Sequence, residues 1–187
     1  LRQRRSGLSE VIKYAAMADP GLFEFLEAHV RDCVRGELRV DRVLVERCCR
    51  LKARIVGQDE RETKGIRTVL NFGHTLGHAL EAATGYARFT HGEAIAIGMA
   101  CASRLSVVLG RMPQADHARL VRLLQRVGLP TRASRVRVAA VKRALAYDKK
   151  FVHGTVRWVV PTRIGRVVVS ESIPASVMWR VIREHIT

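Results

Sequence analysis

"NFGHTLGHALEAATGYARFTHGEA", Asn71 to Ala94, decides how this chain is read, because it sets three histidines and two glutamates within 24 residues. His74 and His78 are four apart and so share one helix face, close enough to serve one site. A third histidine or carboxylate from elsewhere would complete a catalytic zinc set with one open position. The bland alternative is a helix that carries polar surface residues, and spacing alone leaves both readings open. The glycines favour a site. Gly73 and Gly77 each precede a histidine, although a glycine inside a helix costs about 1 kcal/mol relative to alanine. Two of them predict close backbone approach. His91-Gly92-Glu93 repeats the habit where the next helix is expected to begin.

Outward from this stretch, helical periodicity dominates. Upstream, Leu8, Val11, Ile12 and Ala15 form one stripe that breaks at Asp19-Pro20-Gly21. Phe23, Leu26, Val30 and Val34 predict a second helix. A third has Asp41 as N-cap and a stripe of Val45, Cys48, Cys49, Lys52 and Ile55. A polar loop, "GQDERETKGI", leads to "RTVLNFGHTLGHALEAATG", read as one helix closed by Gly85. "HGEAIAIGMACASRLSVVLG" carries small residues on most faces and is expected to be a central helix. Two further helices follow, "PQADHARLVRLLQRVGLP" and "RVRVAAVKRALAYDKK". Then "TVRWVVPTRIGRVVVSE" alternates like two strands around a turn at 162–165, and "PASVMWRVIREHIT" closes as a helix. The expected fold class is mainly α: one bundle-like helical domain over residues 1–187 with a small β-hairpin near the C-terminus.

The 187 residues are 48% hydrophobic and 27% charged, enough for one core. The opening "LRQRRSG" looks cut into, so the chain is expected to be part of a longer protein. No apolar run is long enough to cross a bilayer, so no membrane partner is expected. The four cysteines, Cys33, Cys48, Cys49 and Cys101, form no CxxC pattern and read as reduced thiols of a cytoplasmic protein. Net charge is +16, with 27 arginines against six lysines. Those arginines are scattered and aromatics are only 5%, which argues against a nucleic-acid partner. No Gly-rich dinucleotide fingerprint follows a strand.

The segments "GLSEVIKYA", "LKARIVGQDERETKGIRTVLNFGHTLGHALE", "GY", "HGEAIAIGM" and "DKK", in that order from Gly7 onward, resemble the C-terminal domain of 3-dehydroquinate synthase, of the sugar-phosphate cyclase superfamily. The resemblance implies that an N-terminal α/β domain outside this chain holds NAD. It implies a zinc ion, or another divalent metal such as cobalt, held by Glu10, His74 and His91. That departs from the i, i+4 pair, since His78 is matched to a substrate-phosphate contact. The bland reading of Glu10 is a first-turn helix carboxylate. Lys13, Glu62 and His78 match catalytic positions. Lys52, Arg67, Asn71 and the pair Lys149 and Lys150 match binders of substrate carboxylate, hydroxyls and phosphate.

The implied reaction converts 3-deoxy-arabino-heptulosonate 7-phosphate, a phosphorylated keto-acid, to 3-dehydroquinate with loss of phosphate. A homodimer is implied for the full-length enzyme, and no turnover for this portion alone. The competing readings are another sugar-phosphate cyclase, making 2-deoxy-scyllo-inosose or a valiolone, and, from a different class, a basic helical nucleic-acid-binding domain.

Overall fold

The computed structural model describes residues 1–61, 63–147, 151–152 and 155–186, with only the backbone for residues 147, 151, 152 and 155. Helix α1 (Arg2–Ala18) buries Leu8, Ile12 and Ala15 of its expected stripe and half-buries Val11, with Ala16 buried as well. Asp19 ends it and caps α2 (Pro20–Ala28), its Oδ1 accepting from Leu22 N at 2.9 Å, with Pro20 at the first helical position. The single second helix expected from the stripe is two, because α3 (Val30–Arg35) starts after a break at His29. There the imidazole Nδ1 donates to Phe25 O at 3.0 Å, alongside the backbone bond to the same carbonyl.

The third stripe is corrected as well. Helix α4 (Leu38–Gln58) begins before Asp41, whose carboxylate instead receives the Arg4 guanidinium. Its buried positions are Val40, Leu44, Leu51 and Ile55, while Val45, Cys49 and Lys52 are exposed.

The expected helix across residues 67–85 is also two pieces. A 3₁₀ turn (Ile66–Asn71) precedes α5 (His74–Ala83), and Gly73 between them has φ +79°. Helix α6 (His91–Val108) starts with a capping box: Glu93 N donates to Thr90 Oγ1 and Thr90 N to Glu93 Oε2. It is the centre of the molecule. Its residues from Ala94 to Ala102 are buried, and it packs against α1, α5, α7 (Gln114–Val127), α9 (Ala175–His185) and strand β3 (Trp158–Arg163). The small residues permit this. A Cβ on Gly98 would lie 1.8 Å from Gly73 O, and one on Gly92 would lie 2.1 Å from Ser6 O. Close approach at the glycines is therefore observed, and it locks α6 onto both α5 and α1.

Helix α8 (Val138–Tyr147) packs on α5. The short strands β1 (Phe151–Val152) and β2 (Thr155–Val156) pair antiparallel, an addition to the expected hairpin. That hairpin is β3 (Trp158–Arg163) with β4 (Arg166–Ser170), turning at Ile164-Gly165. Its tip is anchored. Gly165 N donates to Ala16 O at 2.8 Å and Ile164 N to Asp116 Oδ2 at 3.1 Å. No helix is long and apolar enough to cross a membrane among the described residues. Cys33 and Cys101 are buried and Cys49 is exposed, all as free thiols.

Candidate metal centre

Three helices, α1, α5 and α6, bring two of the quoted histidines to Glu10. This residue lies in the middle of α1, since the helix starts at Arg2; it is therefore not the first-turn carboxylate of the bland reading. Its Oε2 accepts from Lys13 Nζ at 2.7 Å. Its Oε1 is buried and has no hydrogen-bond partner among the described residues. That oxygen lies 3.8 Å from His74 Nε2 and 3.8 Å from His91 Nε2. The donor atoms of Glu10, His74 and His91 fall within 4.8 Å of one another.

Both imidazoles are oriented through the other nitrogen. His74 Nδ1 faces Phe72 O at 3.0 Å, and a carbonyl can only accept, so Nδ1 carries the hydrogen and Nε2 the lone pair. His91 Nδ1 faces the Glu81 carboxylate at 3.2 Å, with the same consequence. Burial, reinforced by the Lys13 ammonium, pushes the His74 pKa down to about 4, so His74 is neutral near pH 7. An orphaned carboxylate oxygen facing two imidazole lone pairs fits a borderline divalent cation such as zinc.

His78 is exposed on the next turn of α5, its ring centroid 5.1 Å from that of His74 and 6.0 Å from that of His91. With Glu81 and His91 it forms a second cluster, also within 4.8 Å. The second cluster competes with the first for His91, whose Nδ1 already serves Glu81. Lys13 is only 3% exposed, buried beside the cluster.

Of the other matched residues, two lie on the 3₁₀ turn, which packs against α4 and ends just before His74. It carries Arg67 and Asn71, both half-buried. Asp59 holds the loop leading into it, accepting from Lys64 N and Ile66 N at 2.9 Å each, and these donors lower its pKa. Lys52 lies on the exposed side of α4. Glu62, Lys149 and Lys150 lie outside the described residues. Glu81, to which the sequence reading gave no role, is the residue it missed. Its signal was there: Glu81 follows His78 by three and His74 by seven, the same helix face.

The family model for the 3-dehydroquinate synthase C-terminal domain matches residues 7–151. The chain belongs to that family. A 3-dehydroquinate synthase of Nostoc punctiforme is 44% identical over 98% of this chain and 51% of its own length. One of Neisseria gonorrhoeae is 42% identical over 99% of this chain and 51% of its own. The chain thus spans about half the length of the 3-dehydroquinate synthases it matches. Among solved structures it resembles the 2-epi-5-epi-valiolone synthase ValA of Streptomyces hygroscopicus, with NAD+ and Zn2+ bound (TM-score 0.85, 24% identity, 98% of this chain and 51% of that one). It also resembles a 2-deoxy-scyllo-inosose synthase complexed with carbaglucose-6-phosphate, NAD+ and Co2+ (TM-score 0.80, 23% identity, 98% and 52%). The fold is that of the sugar-phosphate cyclases.

Proposed function

We propose that this chain is the metal- and substrate-binding half of a 3-dehydroquinate synthase, a phosphate-eliminating lyase acting on 3-deoxy-arabino-heptulosonate 7-phosphate in the shikimate route to aromatic amino acids. The observation that carries the reading is Glu10 Oε1, buried and unshared among the described residues, facing Nε2 of both His74 and His91. A divalent ion held by these three residues would polarise a substrate hydroxyl, and NAD held by an N-terminal domain outside this chain would accept and return a hydride.

The chain's own residues do the rest. Lys13 pins Glu10 Oε2, leaving Oε1 aimed at the two imidazoles, and adds a fixed cation at the site. His78, beside both ligand imidazoles, donates a hydrogen bond to the leaving phosphate, whose charge grows in the transition state. Arg67 suits a bidentate contact with phosphate or carboxylate, and Asn71 a substrate hydroxyl. Lys52, Glu62, Lys149 and Lys150 complete the proposed contacts, and a cytoplasmic homodimer is the proposed assembly.

Identities of 44% and 42% with 3-dehydroquinate synthases, against 24% and 23% with the two other cyclases, support the keto-acid substrate. The pairing of Arg2 with Glu93, Arg47 with Asp19 and Arg119 with Glu27 supports an enzyme with a charge-paired surface over a nucleic-acid binder.

Metal analysis and turnover in the chain joined to an NAD-binding half test the reading. Alanine at Glu10, His74 or His91 should remove the ion. His78→Ala should retain it and lose most of the rate. Metal loss in the His78 variant with none in the His91 variant would reverse the ligand assignment. Turnover of a sugar phosphate lacking the carboxylate in preference to the keto-acid would move the chain to another cyclase.

A further inference from the structure

A second polar site lies away from the metal centre and shares no residue with it. It is a cleft of about 610 Å³ lined by His117 and Gln125 of α7, Thr131 and Arg132 after α7, His185 of α9 and Ala100 of α6. Ala100 is nine residues along α6 from His91, about 13 Å at the helical rise.

Hydrogen bonds occupy Nδ1 of both rings. Ser103 Oγ donates its one hydrogen to Ala100 O at 2.9 Å. With that hydrogen so placed, its 2.8 Å contact with His117 Nδ1 has the imidazole as donor. His185 Nδ1 lies 2.9 Å from Val181 O, which can only accept. Each ring is left with an Nε2 lone pair, and the two rings come from different helices to one cleft. Burial lowers both pKa values, that of His117 to about 4, so the lone pairs persist at neutral pH. His185 is only 7% exposed. Among the described residues no third metal-binding side chain joins these two. Glu184 is taken by Arg104 at 3.2 Å, and no carboxylate pairs with Arg132 among the described residues.

Neutral imidazole lone pairs accept from hydroxyls and repel bare anions, whereas a guanidinium takes a carboxylate. A ligand that satisfies both presents hydroxyls and a carboxylate together. The volume is within the range of small-molecule pockets. We propose that this cleft binds a small hydroxylated carboxylic acid, its carboxylate on Arg132 and its hydroxyls donating to Nε2 of His117 and His185.

The test is histidine-detected NMR on the 15N-histidine-labelled 187-residue chain, titrated with tartrate, with succinate (no hydroxyls) and with erythritol (no carboxylate). Tartrate should shift the His117 and His185 Nε2 resonances saturably, at least about tenfold more tightly than either control. Arg132→Gln, at an exposed position, should weaken tartrate by about tenfold while the spectrum stays folded. The proposal is overturned by no saturable shift up to about 50 mM, by shifts confined to His74, His78 and His91, by equal affinity for the three compounds, or by unchanged affinity in the Arg132 variant.

Discussion

At the level of single side chains, the hydrogen bond between His91 Nδ1 and Glu81 settles which imidazole nitrogen faces Glu10. Outer partners of this type typically account for 10–100-fold in metal affinity. Glu81→Gln keeps an acceptor and should weaken zinc binding by about tenfold; Glu81→Leu should weaken it by up to about a hundredfold. Competition against a chromophoric chelator measures both, and unchanged affinity in the leucine variant would remove the role. The histidines were legible in the sequence because they are close in the chain. Glu10 was legible only through the family resemblance, since nothing local links a carboxylate on α1 to an imidazole on α5. Glu81 was missed because its partner, His91, begins the following helix.

At the level of elements, the glycines set the packing. The sequence places Gly73 and Gly77 inside one helix; the structure instead puts Gly73 ahead of α5 with φ +79°, where Gly98 on α6 takes its carbonyl against a bare Cα. Gly98→Ala should therefore destabilise the fold by about 3 kcal/mol or more, because backbone must move. Gly7→Ala is the contrast. Gly7 is inside α1 with nothing among the described residues within 4 Å of an added Cβ, so alanine should stabilise by about 0.5–1 kcal/mol. Urea unfolding midpoints decide both, and a neutral Gly98→Ala would refute the close-packing account. Helix ends at Ala18, Val108 and Val127 were legible from Asp-Pro-Gly and from glycine. The breaks at His29 and Gly73 were not. Apolar periodicity continues across both, and only the local backbone bonds interrupt it.

For the molecule as a whole, stability should depend on acidity through its histidines. In chelator-treated protein, burial holds His74, His117 and His185 below the ordinary histidine pKa, the first two at about 4. Between the unfolded value of about 6.5 and those folded values, the unfolded chain binds more protons. Stability is then full above about pH 6.5 and falls as pH drops through this window. Asp59 and Glu93, with pKa values lowered from 3.8 and 4.5, add their losses only in stronger acid. Urea midpoints at pH 7.5 and 5.0 should differ in that direction, and His117→Gln should narrow the difference. A flat profile would contradict the buried neutral imidazoles. The helical class and the C-terminal hairpin were legible from period 3.6 giving way to period 2. That the hairpin tip docks on α1 at Ala16 was not, because such a contact joins distant segments by a backbone hydrogen bond that any residue could make.

The locking of α6 onto α1 at Ser6 and Gly92, and onto α5 at Gly73 and Gly98, has a further consequence for the life of the protein in a cell. With the ion bound as proposed, its three ligands meet only when those contacts are closed, so the unfolded chain has almost no grip on it. Each tenfold rise in free ion above the dissociation constant should then deepen the folded state by about 1.4 kcal/mol. Limited proteolysis with and without chelator reads this directly: the ion-loaded chain should survive longer, and the Glu10→Ala chain should gain nothing from added zinc. Equal digestion of loaded and stripped protein would show that the ligands do not depend on the fold. Ion supply would on these terms govern how much of the protein persists, apart from any part in turnover.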